Sequence, residues 1–129
     1  MPHHVRRVPL YGQISAGLPL NGLELIGSYH TRLPRRPRAR FAAVRINGDS
    51  LIEAQIFDGQ IAVIELTPEL QFNGQLAAVL TPEGLTLKHC WFEGHLVRLL
   101  ACNRRYRPQL WPVEEVTVQG FVVRIEKDL

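Results

Sequence analysis

Ser50 stands where an apolar, strand-like run gives way to Leu51-Ile52-Glu53-Ala54-Gln55-Ile56. That segment opens with two good capping residues, Asp49-Ser50, and is closed by Asp58-Gly59. A strand-to-helix turn of this kind exposes a hydroxyl. The amides near Asp49 and Ser50 would point outward with partial positive charge, which suits them to a developing oxyanion. Plain capping accounts for the same Asp-Ser pair, and the residues alone leave both readings open.

Lys88 draws notice because the chain carries 13 arginines but only two lysines, Lys88 and Lys127. A guanidinium stays charged in a protein, whereas a lysine desolvated among apolar neighbours can lose its proton and act as a base. Strict alternation through Leu85-Thr86-Leu87-Lys88-His89-Cys90-Trp91-Phe92 puts Lys88 on a face with Cys90 and Phe92. A solvated strand lysine is the competing reading. A serine hydroxyl beside a neutral amine is a nucleophile with its base, the chemistry of acyl transfer.

The elements that would bring these side chains together are short and β-rich. Gly 10 and Pro 9 in 129 residues supply the turns for many short strands and argue for an all-β fold. Strand-like runs fall at 41–46, 61–66, 75–80, 85–92, 96–101 and 116–126. Thr81-Pro82-Glu83-Gly84 and Phe92-Glu93-Gly94-His95 read as hairpin turns, so the middle of the chain should be antiparallel. One short helix is expected, after Asp49-Ser50. The expected organisation is an N-terminal arm at 1–27, a basic Pro-rich linker at 28–40 and a core at 41–129.

Arg32, Arg35, Arg36, Arg38 and Arg40 make that linker basic, and no Asp or Glu occurs between Glu24 and Asp49. Pro34 and Pro37 forbid a regular helix there, so the run reads as an extended, solvated connection or as a surface for an anionic partner. Sequence-specific DNA binding has no support, since aromatic residues are not interleaved with the arginines. No apolar run approaches the roughly 20 residues of a membrane span, and residues 1–10 lack the apolar stretch of a secretory signal. A cytoplasmic location is therefore expected. Cys90 and Cys102 read as reduced, packed thiols. The five histidines show no ligand spacing, so neither metal nor cofactor is expected.

Four segments in order resemble the LexA and UmuD type of self-cleaving serine peptidase. Val8-Pro9-Leu10-Tyr11-Gly12-Gln13-Ile14-Ser15-Ala16-Gly17-Leu18-Pro19 looks like that family's cleavage-site segment, with Ala16-Gly17 the scissile pair. Arg45-Ile46-Asn47-Gly48-Asp49-Ser50-Leu51, followed by Ile56-Phe57-Asp58-Gly59-Gln60, is similar to the nucleophile segment. Leu85-Thr86-Leu87-Lys88-His89 is similar to the strand of the general base. Asn103 to Pro108, then Val118-Gln119-Gly120-Phe121-Val122-Val123, resembles the C-terminal strands. Leu51 departs from the family, which usually has methionine there.

The resemblance implies a Ser50–Lys88 dyad, backbone amides of Asp49 and Ser50 for the oxyanion, and a fold like the LexA C-terminal domain, with antiparallel sheets and one short helix. It implies an SOS-response role, activation by a RecA filament on single-stranded DNA, and self-cleavage of the arm. With 16 residues ahead of the scissile bond and no room there for a helix-turn-helix, a UmuD-like mediator working with a translesion DNA polymerase is expected first. The peptidase and dimerisation part of a LexA-like or phage-type repressor is the alternative, and a catalytically idle β binding module the third reading. A homodimer is also expected, from the resemblance and from the apolar run at 116–125 as a pairing edge.

Overall fold

Alternating apolar residues and two-residue turns build one mixed sheet. The structure is a computed structural model describing residues 3–13 and 22–127. Nine strands form: β1 His3–Gln13, β2 Leu25–Pro34, β3 Phe41–Arg45, β4 Ile61–Leu66, β5 Gln75–Thr81, β6 Gly84–Glu93, β7 Leu96–Leu100, β8 Gln109–Pro112 and β9 Thr117–Glu126. Their spatial order is β2-β1-β3-β4-β9-β5-β6-β7-β8. The all-β expectation holds, and all six strand-like runs are strands. Thr81 pairs with Gly84 and Glu93 with Leu96, closing the two expected hairpins.

Strands β3 and β4 are buried on both faces, which is why they read as continuous apolar runs. Ala42, Val44, Ala62 and Ile64 point into one cluster, which also holds Ile46, Leu51, Ala78, Leu85 and Leu87. Phe41, Ala43, Ile61 and Val63 point into a second, with Val8 and Leu33. A third cluster, around Ala77, Val79, Cys90, Val97 and Leu99, fills the far half of the sheet. At Gly120 the backbones of β9 and β4 approach so closely that a Cβ would lie 2.3 Å from the Glu65 carbonyl oxygen.

The sheet is not wholly antiparallel, because β1 runs parallel to β3, with Leu10 beside Ala43 and Tyr11 beside Val44. The helix expected after Asp49-Ser50 is a single 3₁₀ turn, Ile52–Ala54, stopped by Gln55 at φ 61°. Its Glu53 amide, one of the first-turn donors that a helix leaves without an internal partner, goes to the Cys102 carbonyl at 2.7 Å. The residues Asn103 to Pro108, expected among the C-terminal strands, form a loop ahead of β8.

The basic stretch expected as a solvated linker is sheet in its first part. Residues up to Pro34 pair with β1, and Thr31 and Leu33 are buried. The run at 116–125 lies inside the sheet. Gly120–Glu126 pair with β4 and Thr117–Phe121 with β5, so only 122–126 keep an edge not bonded to β5.

Candidate active site

The turn carrying Ser50 begins where β3 ends. Ile46 donates its amide to the Gln60 carbonyl and accepts from the Gly59 amide, both at 2.8 Å, which ties the base of the excursion shut. Gly48 adopts φ 98°, a region that costs glycine little, and donates its amide to Asp58 Oδ1 at 2.8 Å. The Asp-Gly expected to close the helix instead closes this loop. Asp49 and Ser50 then lead into the 3₁₀ turn. The cap position of that turn is Leu51 and not Ser50, and among the described residues neither the Asp49 nor the Ser50 amide is given to another backbone group.

A second segment, Cys102 to Tyr106, holds this turn from the other side. The Cys102 amide donates to the Ser50 carbonyl at 2.7 Å. Asn103, 4% exposed, donates Nδ2–H to the Asp49 carbonyl at 2.9 Å and accepts the Arg105 amide on Oδ1 at 3.0 Å. The Tyr106 hydroxyl donates to Asp49 Oδ1, and this bond to a carboxylate raises the phenol pKa. Arg104 gives its amide and Nε–H to Glu53 Oε2 at 3.0 and 3.2 Å, and the amide bond leads in lowering the Glu53 pKa. The backbone on both sides of the Ser50 Cα is thus fixed by a loop fifty residues away.

Lys88 reaches the same place from β6. Ile46, Asn47, Ser50, Leu51, Leu85, Thr86, Leu87 and Lys88 line one cavity of about 120 Å³. Lys88 is 9% exposed, and desolvation lowers its pKa from 10.5. Its Nζ donates to Thr86 Oγ1 at 2.7 Å, two residues back on the same face of the strand. Cys90, on that face, is buried, while Phe92 is exposed at 37%. His89 points to the opposite face, where Nδ1 sits 2.8 Å from the Gly74 carbonyl oxygen, and it does not line the cavity.

The Ala16-Gly17 pair lies outside the described residues. The segments flanking it converge on the site. Because β1 is parallel to β3, the chain leaving Gln13 and the chain leaving Arg45 for Ser50 exit the sheet at one end. On the return side, Leu23 is 5% exposed in the cluster holding Leu51, Leu85 and Leu87, and Tyr11 packs against it.

The family model described as Peptidase S24-like matches residues 9–123, nearly the whole of this cavity-bearing sheet. The chain belongs to that family. It is 35% identical to the LexA repressor of Zymomonas mobilis over 121 residues, 92% of this chain and 55% of that protein. It is 35% identical to the LexA repressor of Novosphingobium aromaticivorans, over 90% of this chain and 50% of the relative. The LexA repressor of Leptospira interrogans is 34% identical over 95% of this chain and 60% of its own length. The S24-like chain thus spans about half the length of these relatives. No helix among the described residues is long and apolar enough to cross a membrane.

Reasoning from residue types singled out Ser50 and Lys88 but missed the side chains that hold them. Thr86 gave no signal beyond its i−2 spacing from Lys88. Asn103 and Tyr106 carry a signal, a polar side chain and a phenol in the Asn103 to Pro108 segment, but the resemblance places that segment among strands.

Proposed function

We propose that this chain is a self-cleaving serine peptidase that hydrolyses its own Ala16–Gly17 bond. The observation that carries the reading is one small cavity lined by both Ser50 and a desolvated Lys88. The neutral Lys88 amine takes the Ser50 proton as Oγ attacks the Ala16 carbonyl carbon. The amides of Asp49 and Ser50, not given to other described backbone groups, face the charge on the carbonyl oxygen. The Ala16–Gly17 C–N bond then breaks, the Gly17 amine takes the proton back from Lys88, and water releases the acyl group from Ser50. The flanking segments tether the substrate to the site, so attack is intramolecular and docking of the arm replaces recognition.

The test is intact mass after alkaline incubation. Fragments 1–16 and 17–129 are expected, at a rate that rises with pH as Lys88 loses its proton. Ser50→Ala and Lys88→Arg each abolish them, since guanidinium cannot accept the proton. Fragments from Lys88→Arg at an unchanged rate and pH profile would remove the dyad.

The role that fits is an SOS-response switch, activated by a RecA filament on single-stranded DNA and working as a homodimer. The name LexA repressor, borne by the relatives, favours the cleavable part of a repressor over a UmuD-like mediator. A mediator would bind a translesion polymerase after cleavage, and co-purification of cleaved chain with such a polymerase would reverse that preference. Monomer alone at micromolar concentration in sedimentation equilibrium would rule out the dimer.

A further inference from the structure

At the end of β1 and β3 remote from Ser50, the first residues of β1 and the turn between β2 and β3 enclose an open groove. Arg6, Arg35, Arg36, Arg38 and Arg40 line it together with His4, Pro37 and Ala39. Because β1 and β3 are parallel, this groove and the Ser50 turn lie at opposite ends of the same strand pair.

The groove is built and not merely basic. Arg6 lies over the Phe41 ring, 5.5 Å from its centroid, and Arg36 pairs with Glu65 at 2.6 Å, so two guanidiniums are held in place. The Ala39 amide bonds to the Arg36 carbonyl at 3.1 Å, and Arg38 takes φ 71°, a conformation costing a non-glycine residue free energy. Arg35, Arg38 and Arg40 are exposed, and among the described residues none of them pairs with a carboxylate. Concentrating like charges in a strained turn opposes folding, and Arg35, Arg38 and Arg40 have no carboxylate among the described residues to offset it. An anion bound there would offset the repulsion.

We infer that this groove binds the sugar–phosphate backbone of a nucleic acid without reading its sequence. All the permanent cations lining it are arginines, whose planar fork pairs phosphate oxygens bidentately. A protein partner would need an apolar anchor at the centre of its interface, and the lining offers only Pro37 and Ala39. The lining holds no Asn, Gln, Phe, Tyr or Trp, and its clustered guanidiniums match closely spaced backbone phosphates.

The test is fluorescence anisotropy of a labelled single-stranded oligonucleotide of mixed sequence, titrated with the intact chain at several salt concentrations. Binding is expected to weaken with salt by about 0.7 log units per log unit of salt for each phosphate held. Replacing the three exposed groove arginines, Arg35→Gln, Arg38→Gln and Arg40→Gln, should flatten that slope by about 2 and weaken binding about a hundredfold at 50 mM salt. A control with equal charge loss elsewhere, Arg98→Gln, Arg107→Gln and Arg124→Gln, should bind nearly as the parent does. Circular dichroism melts of both variants confirm folding. No binding at 50 mM salt, equal losses in the two variants, or polyglutamate competing as well as unlabelled oligonucleotide would each overturn the inference.

Discussion

Replacing Lys88 with Met separates what the site needs from what the fold needs. The comparison belongs in a Ser50→Ala background, so that every sample stays uncut. The Lys88 Nζ sits in a small cavity with a hydrogen bond to Thr86 at 2.7 Å, and desolvation depresses its pKa. Each unit of depression corresponds to about 1.4 kcal/mol against the charged form. Met keeps the apolar stem and removes that penalty. It forfeits one charge-assisted bond, but Thr86 is only partly buried and can turn to water. Met is therefore expected to be the more stable at pH 7, and each 1 kcal/mol gained would read as a Tm rise of about 3–5 °C for a chain of this size. The sign of the pH dependence follows from linkage. Between the depressed value and 10.5 the unfolded chain binds a proton that the folded chain has shed, so parent stability climbs with pH across that window. The advantage of Met is therefore full below the window and absent above 10.5. Thermal melts of both proteins at pH 7 and pH 11 measure it. A Met variant less stable than its parent at pH 7, or with the same advantage at both pH values, would refute the idea that Lys88 is held against desolvation.

Other outcomes follow from single contacts. Gly120→Ala should lose about 1–3 kcal/mol in urea unfolding, because its Cβ would press on the Glu65 carbonyl oxygen at 2.3 Å and on Ile64 Cγ2 at 2.6 Å. Asn103→Ala should lose about 1–3 kcal/mol and slow cleavage at least tenfold, leaving the midpoint of the pH–rate profile unmoved. A shifted midpoint would mean that Asn103 acts on Lys88 and not on the Ser50 turn. Burial pushes the Cys90 thiol up to about 11, whereas Cys102 is only partly buried. A disulfide reagent at pH 8 should therefore label Cys102 first by mass, and faster labelling of Cys90 would contradict its burial.

The six strands legible in the sequence are those whose burial leaves a pattern within the strand itself. Strand β2 is different, since Thr31 and Leu33 are its only buried residues, and Pro34 and Arg32 made the rest look like solvated chain. What makes it a strand is its partner β1, and that pairing is a long-range fact. The expected helix stops after one turn because Gln55 adopts a left-handed conformation, which its residue type does not announce. At the site, residue chemistry singles out Ser50 and Lys88 individually. Their convergence on one cavity depends on the order of strands in the sheet, and the Asn103 clamp on a loop that no local pattern announces.

The position of β1 would give the proposed self-cleavage an unusual outcome. β1 is an inner strand, hydrogen-bonded to β2 on one side and β3 on the other, with Val8 only 3% exposed. A cut after residue 16 would therefore produce a nick, with the short piece still laced into the sheet. Covalent scission and physical departure become separate events, and the second requires two ladders to unzip. The nicked assembly should behave like a split protein, able to reassemble from its two pieces, with release paced by the strands and not by bond breaking.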